Sequence, residues 1–285
     1  MKIGVSTYSL SRAIQSGEMS VIEAIAYIAE IGGEHVEIVP IGFNLTKNPE
    51  LISEIRQKAV ESGIEISNYA IGAEFSGLTE EAFELEISRV KKEVDIAAQL
   101  GIKLMRHDVA STADISIQNF NLQLPKLAEA CRRVAEYAAT FGITTSIENH
   151  GYFLQASDRV QALIHATDRA NFRTTLDIGN FMCADENSIV AVKKNISYAS
   201  MVHIKDFYLR SFAQDPGEGW FPTAHGNHLR GAIIGNGDID MRNVLKVVKQ
   251  SGFDGFLSVE FEGMEECKLG TRIGLNNLKQ LWNEI

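Results

Sequence analysis

At 285 residues the chain exceeds a common domain of roughly 100–150 yet suits one barrel of about 250, and its 45% hydrophobic and 22% charged residues exclude a disordered chain. Lys and Arg number 27 against 37 Asp and Glu, a net charge of −10 with no basic block, which counts against nucleic acid as a partner. No apolar run approaches the about 18 residues of a membrane span, MKIGVSTYSL is a poor signal peptide, and three scattered cysteines (Cys131, Cys183, Cys267) suggest neither disulfides nor a thiolate metal site, so a cytoplasmic setting is expected.

The first apolar run, KIGVST (2–7), predicts a strand, and VIEAIAYIAEIGG (21–33), apolar at helical spacing, predicts the helix behind it. The pair recurs as HVEIV (35–39) with LISEIRQKAVESG (51–63) and IEISNY (64–69) with EISRVKKEVDIAAQLG (86–101). A fourth pair is IKLMRH (102–107) with LPKLAEACRRVAEYAATFG (124–142), and each of these four helices stops at Gly. Strands ITTSIE (143–148), FRTTLD (172–177), SMVHIK (200–205) and FLSVEF (256–261) then alternate with helices at 157–168, 187–195, 240–251 and 266–283. Eight βα pairs with largely apolar strands describe a parallel sheet covered by helices, and at this length an α/β fold with a single (β/α)8 barrel over residues 1–285. The competing doubly wound sheet would carry a Gly-rich fingerprint after the first strand, where STYSLS stands instead.

In such a barrel the C-terminal strand ends converge on one mouth, where side chains serve function. The fifth strand ends on Glu148, the sixth on Asp177, the seventh carries His203 and the eighth reaches Glu260. Three carboxylates would repel each other there unless a cation sat between them. The set of three oxygens and one nitrogen is harder than structural zinc sites, so manganese is the preferred ion, with cobalt, magnesium or zinc as alternatives.

In the order SIENHG, TLDIGN, VHIKD, GNGDID and SVEFEG, these motifs resemble the xylose isomerase-like TIM barrels, the sugar isomerase/epimerase superfamily that also includes endonuclease IV. The resemblance runs over essentially the whole chain and implies one divalent cation held by Glu148, Asp177, His203 and Glu260. Such a cation can hold a carbonyl and the adjacent hydroxyl of a keto sugar and stabilise the enediolate left by proton removal. Glu148 and Glu260, arriving from different strands, are the expected acid and base, the role that the corresponding glutamates have in ketose 3-epimerases. An isomerase or epimerase acting on a small carbohydrate is the first expectation. A dehydratase of a keto-cyclitol or keto-sugar is the second, and a non-catalytic sugar-binding barrel is a third.

Expected substrate contacts are Arg106, His107 and Asp108 together after the fourth strand, His150 after Glu148, and Lys205 in HIKD. Asn180 stands where several relatives have a second metal-binding His, and Glu37 ends the second strand, where many relatives have a Glu facing the pocket. With Asn68 and Tyr69 ending the third strand, a trinuclear zinc centre and DNA repair are disfavoured, although His225 and His228 leave a second metal open. Residues 206–235 show weak periodicity and many aromatic rings. They read as a lid bringing Trp220 or Phe221 onto the sugar, or as a subunit contact in a homo-oligomer. Gly235 and Gly237 suit a turn, and Asp238 or Asp240 a helix cap.

Overall fold

Each apolar run of the sequence lies beside the next. In the computed structural model, which describes residues 1–285, seven parallel strands come first: β1 (Lys2–Ser6), β2 (His35–Ile38), β3 (Glu65–Ile71), β4 (Leu104–His107), β5 (Thr144–Glu148), β6 (Phe172–Asp177) and β7 (Ala199–Ile204). The chain then leaves the barrel as an antiparallel sheet of β8 (Asp206–Arg210), β9 (Phe221–Pro222) and β10 (His228–Ala232). It returns as β11 (Phe256–Val259), which pairs with β7 and β1 and closes an eight-stranded parallel barrel. Parallel neighbours need long crossovers, and α2 (Val21–Glu30) to α9 (Cys267–Glu284) supply them, after a short α1 (Ser11–Ser16) that the sequence did not announce. One apolar core extends from Ile3 to Leu278, inside the barrel and beneath the helices. No helix is long and apolar enough to cross a membrane.

Helix starts follow side-chain caps. Ser20 and Glu23 form a reciprocal box on α2. Thr79 and Ser116 cap the long helices α4 (Glu80–Leu100) and α5 (Ile117–Ala139), which start earlier than the predicted 86 and 124. Their first two turns expose Leu85, Ile117 and Leu122, so the apolar period is blurred there, and α5 continues through Pro125.

The segment 206–235 departs from the irregular loop expected. Phe207 and Leu229 are fully buried beside Cys183, and they hold the antiparallel sheet against the barrel. The Asp206 carboxylate accepts from the backbone N–H groups of Phe207, Gly235, Gly237 and Ile239, which closes the GNGD turn. A side chain at Gly237 would collide with that carboxylate. Asp240 caps α8 (Met241–Gln250), so this motif is structural, as expected.

Candidate active site at the barrel mouth

Successive strand residues face opposite sides of a sheet, so strand parity decides which polar end groups enter the mouth. A register shift between Thr174 and Thr175 sets Asp177 opposite His203, and His203 is in turn opposite Ser258 of β11, two residues before Glu260. Glu148, Asp177, His203 and Glu260 are all buried, and one ligand-competent atom from each lies within 4.8 Å of the others.

Hydrogen bonds aim these atoms. Asp177 Oδ1 accepts from the N–H groups of Gly179 and Asn180 at 2.7 and 2.8 Å, and Asn149 clamps the Asp177 backbone from β5. This leaves Asp177 Oδ2 buried with no hydrogen-bond partner. On His203, Nε2 is 3.0 Å from Glu37 Oε1, which also accepts from Asn68 Nδ2 at 2.7 Å. A proton on Nε2 leaves the Nδ1 lone pair free. Nδ1 faces Glu260 Oε1 at 3.3 Å and Glu148 Oε1 at 3.6 Å, and it too has no hydrogen-bond partner. Two orphaned buried ligand atoms among carboxylates fit one divalent ion.

The charges are unequal. Burial alone would raise the Glu148 carboxyl, but Arg106 and His203 outweigh it and hold it well below the usual carboxylate range. Arg106 donates twice to Glu148 Oε2, through Nε at 2.7 Å and through Nη2, while Asn180 Nδ2 donates to Oε1 at 3.0 Å. Burial instead pushes the Glu260 carboxyl up to about 7, against the opposing pull of His203 and Lys205. His203 is pushed up despite its burial by Glu260, Glu37 and Glu148, so a proton and a metal ion compete for its ring. Lys205 Nζ is 3.1 Å from Glu260 Oε2, 3.4 Å from Asp177 Oδ2 and 3.6 Å from Glu262 Oε2.

Above the cluster opens a cavity of about 270 Å³, with Arg106, Glu148, His150, Lys205 and Glu260 on its wall. His150 is half-exposed at the rim, 3.8 Å from Asp108. Asn180 lies behind the wall, bonded to Glu148 and Lys205.

Four expected contacts lie elsewhere. His107 has the opposite parity to Arg106 and is buried on the outer side of β4 between Phe75 and Phe172, its Nδ1 2.8 Å from the Asp108 carbonyl. Glu37 sits beneath His203 and does not line the cavity, because its carboxylate is taken up by that ring and by Asn68. Trp220 is stacked between Arg210 and Arg230, and Phe221 packs on Phe207; with their faces taken up there, neither lines the cavity. His225 pairs with Asp185, apart from the four-residue cluster.

Asp108 lines the cavity as expected, and two groups that were not singled out join the site: Tyr8 on the cavity wall and Glu262 behind Lys205. Tyr8, after β1, donates to Glu262 at 3.1 Å, Glu262 pairs with Lys205, and Asp108 pairs with Arg106 at 3.3 Å. The signals for Tyr8 and Glu262 were the polar STYS after the first strand and the second Glu of VEFEG.

A family model described as xylose isomerase-like TIM barrel matches residues 25–281. An inosose dehydratase of Clostridium perfringens (strain 13 / Type A) is 25% identical over 147 residues, covering 48% of this chain and 46% of that protein, so the match spans less than half of that relative's length. An inosose dehydratase of Mesomycoplasma hyopneumoniae is 24% identical over 266 residues, 86% of this chain and 82% of that protein. The solved structure of D-psicose 3-epimerase with D-tagatose from Clostridium cellulolyticum H10 superposes with a TM-score of 0.76 over 99% of both chains at 14% identity, a likeness of fold alone.

Proposed function

The chain belongs to the xylose isomerase-like TIM barrel family, and from that premise we propose a metal-dependent enzyme that removes a proton beside the carbonyl of a keto-cyclitol or keto sugar. The observation that carries this is the pair of orphaned buried ligand atoms, Asp177 Oδ2 and His203 Nδ1, next to a cavity walled by groups that can move protons. Glu148, Asp177, His203 and Glu260 are the proposed ligands. A divalent ion held by them supplies a Lewis acid for the substrate's carbonyl and neighbouring hydroxyl oxygens.

The two glutamates are not equivalent. Glu148 has both oxygens engaged by Arg106 and Asn180, which keeps it ionised and weakens it as a base. Glu260 lines the cavity beside Lys205, free of any guanidinium bond, and is the proposed base that takes a proton from carbon. Inversion of a stereocentre, the two-glutamate scheme, needs one glutamate to take a proton on one face and the other to return it on the opposite face, a task for which the Arg106 and Asn180 bonds leave Glu148 less free. The asymmetry favours chemistry on one side of the ring, with Glu260 taking the proton and His150, at the rim, delivering one to a departing β-hydroxyl. Dehydration is therefore placed first, in keeping with the names of the curated relatives. Isomerisation, in which Glu260 returns the proton to the neighbouring carbon, is the second reading, and it uses the same base.

The test is NMR in D₂O with manganese and a panel of inososes and ketoses. The expected result is metal-dependent loss of the proton next to the carbonyl and an ultraviolet-absorbing conjugated ketone. Deuterium entering without such a product would select isomerisation or epimerisation. Absence of both exchange and turnover across the panel would sink the enzyme reading in favour of a sugar-binding barrel.

A further inference from the structure

Beside the main cavity, and sharing Asp108, Glu148 and His150 with it, a narrower niche of about 90 Å³ runs back between the segments that follow β3, β4 and β5. Past that doorway its walls are mainly Ala73, Val109, Ala110, Ile147 and Leu154, with Gly151 at the turn. Ser111 is the one polar side chain on the wall past the doorway, and four of the backbone groups around the niche are already committed. The Val109 carbonyl accepts from Phe75 N–H at 2.8 Å, and the Gly151 carbonyl from Phe153 N–H at 2.6 Å. The Ile147 carbonyl accepts from Thr174 Oγ1 at 3.0 Å, and Ser111 N–H donates to Glu74 at 2.6 Å. A substrate hydroxyl pushed into the niche would lose water and find poor replacement. An apolar group would gain about fourfold in affinity for each carbon buried. At about 30 Å³ per water-sized group, the niche holds about three heavy atoms and excludes a second ring.

We propose that this niche is a substituent pocket: the substrate is a polyhydroxylated ketone that carries a methyl group, seated between Ala73, Ala110 and Leu154 while its ring lies in the main cavity. The inference rests on the keto-polyol reading above and narrows it. A deoxy carbon and a methyl ether offer the same apolar group.

The test measures equilibrium binding to the full, manganese-loaded chain by calorimetry, with matched probes. Scyllo-inosose is compared with its mono-O-methyl ethers, and D-fructose with 1-deoxy- and 6-deoxy-D-fructose. At least one methylated probe is expected to bind about fourfold or more tightly than its parent, and whether it is an ether or a deoxy sugar identifies the carrier. Ala110→Leu, which fills the niche, should return that ratio to about one with manganese content retained. Ala73→Leu, on a less buried wall, does the same if Ala110→Leu fails to fold. Equal or weaker binding of every methylated probe, a preference that survives in a folded, filled variant, or no binding by any methylated probe overturns the proposal. A methyl preference without solvent exchange on any probe would overturn the reaction proposed above and leave the pocket standing. Exchange without a methyl preference does the reverse.

Discussion

Two neighbouring regions bury carboxylates in opposite ways. In the turn beneath the antiparallel sheet, Asp206 accepts four backbone N–H bonds across its two oxygens, and each of these is part of a closed structural unit. At the mouth, Asp177 has one oxygen doubly bonded by N–H groups and the other without a hydrogen-bond partner, with only the Lys205 ammonium 3.4 Å away, in a cluster that also holds an unpartnered ring nitrogen. Both acids follow an apolar strand and both are buried. A saturated carboxylate builds the fold, whereas a half-saturated one aimed at others is held in readiness for something else, because an unmet buried polar atom is costly unless a partner arrives.

The largest expected effect separates these regions outright. Asp177→Ala should bring bound manganese from about one equivalent to near zero by elemental analysis and abolish turnover, while the fold persists by circular dichroism because the barrel core lies below the mouth. Full retention of the ion would dissolve the comparison.

Asp206→Ala should do the converse. Stranding buried N–H groups around a charged acceptor is expected to cost roughly 3 kcal/mol in urea unfolding, with manganese still bound near one equivalent. Loss of the ion with unchanged stability would show that the two acids had been assigned to the wrong roles.

A sharper question is how far the mouth extends downward. Glu37→Gln weakens only the support behind His203, so metal affinity should fall by about 10–100-fold, less than for Asp177→Ala. An affinity within about twofold of the parent protein would make Glu37 a core residue like Asp206.

The opposite end of the barrel supplies a titrating contrast. His35 is buried at the start of β2, with Nε2 3.0 Å from the Leu257 carbonyl and Phe256 edge-on to its ring; burial pushes it down to about 4 from an ordinary 6.5. The unfolded chain therefore binds the extra proton first, and stability falls as pH drops from about 6.5 to about 4. The loss is on the order of 3 kcal/mol. His35→Gln should flatten that part of a stability-against-pH curve, and an unaltered slope would remove His35 as its source.

The smallest effect concerns the sheet. Trp220→Ala removes two partly exposed cation stacks of roughly 0.5–1 kcal/mol each and should leave KM within about threefold. A rise beyond about tenfold would restore the substrate-covering lid that the sequence suggested.

The order of eight βα units and four metal-competent residues near the ends of the last four barrel strands were readable from residues 1–285 because both are periodic or local signals: short apolar runs, helical spacing, and a polar group where a strand stops. The sequence also narrowed a helix cap to Asp238 or Asp240, since an acid before a helical run is a local pattern, and the fold gives the role to Asp240. What it could not decide was direction and partnership. Arg106 and His107 are adjacent and equally polar, yet one pairs with Glu148 in the mouth and the other packs on Phe75 outside the barrel. Glu37 and Glu260 are both glutamates at strand ends, yet one holds a ring from below and the other lines the cavity. The aromatic segment 206–235 looked mobile only because its apolar partners, Cys183 and Tyr152, come from earlier loops. Side-chain parity, depth and pairing depend on how the strands are staggered around the closed barrel, including the shift between Thr174 and Thr175. That stagger is fixed by contacts between strands far apart in the chain, so only the tertiary structure decides it.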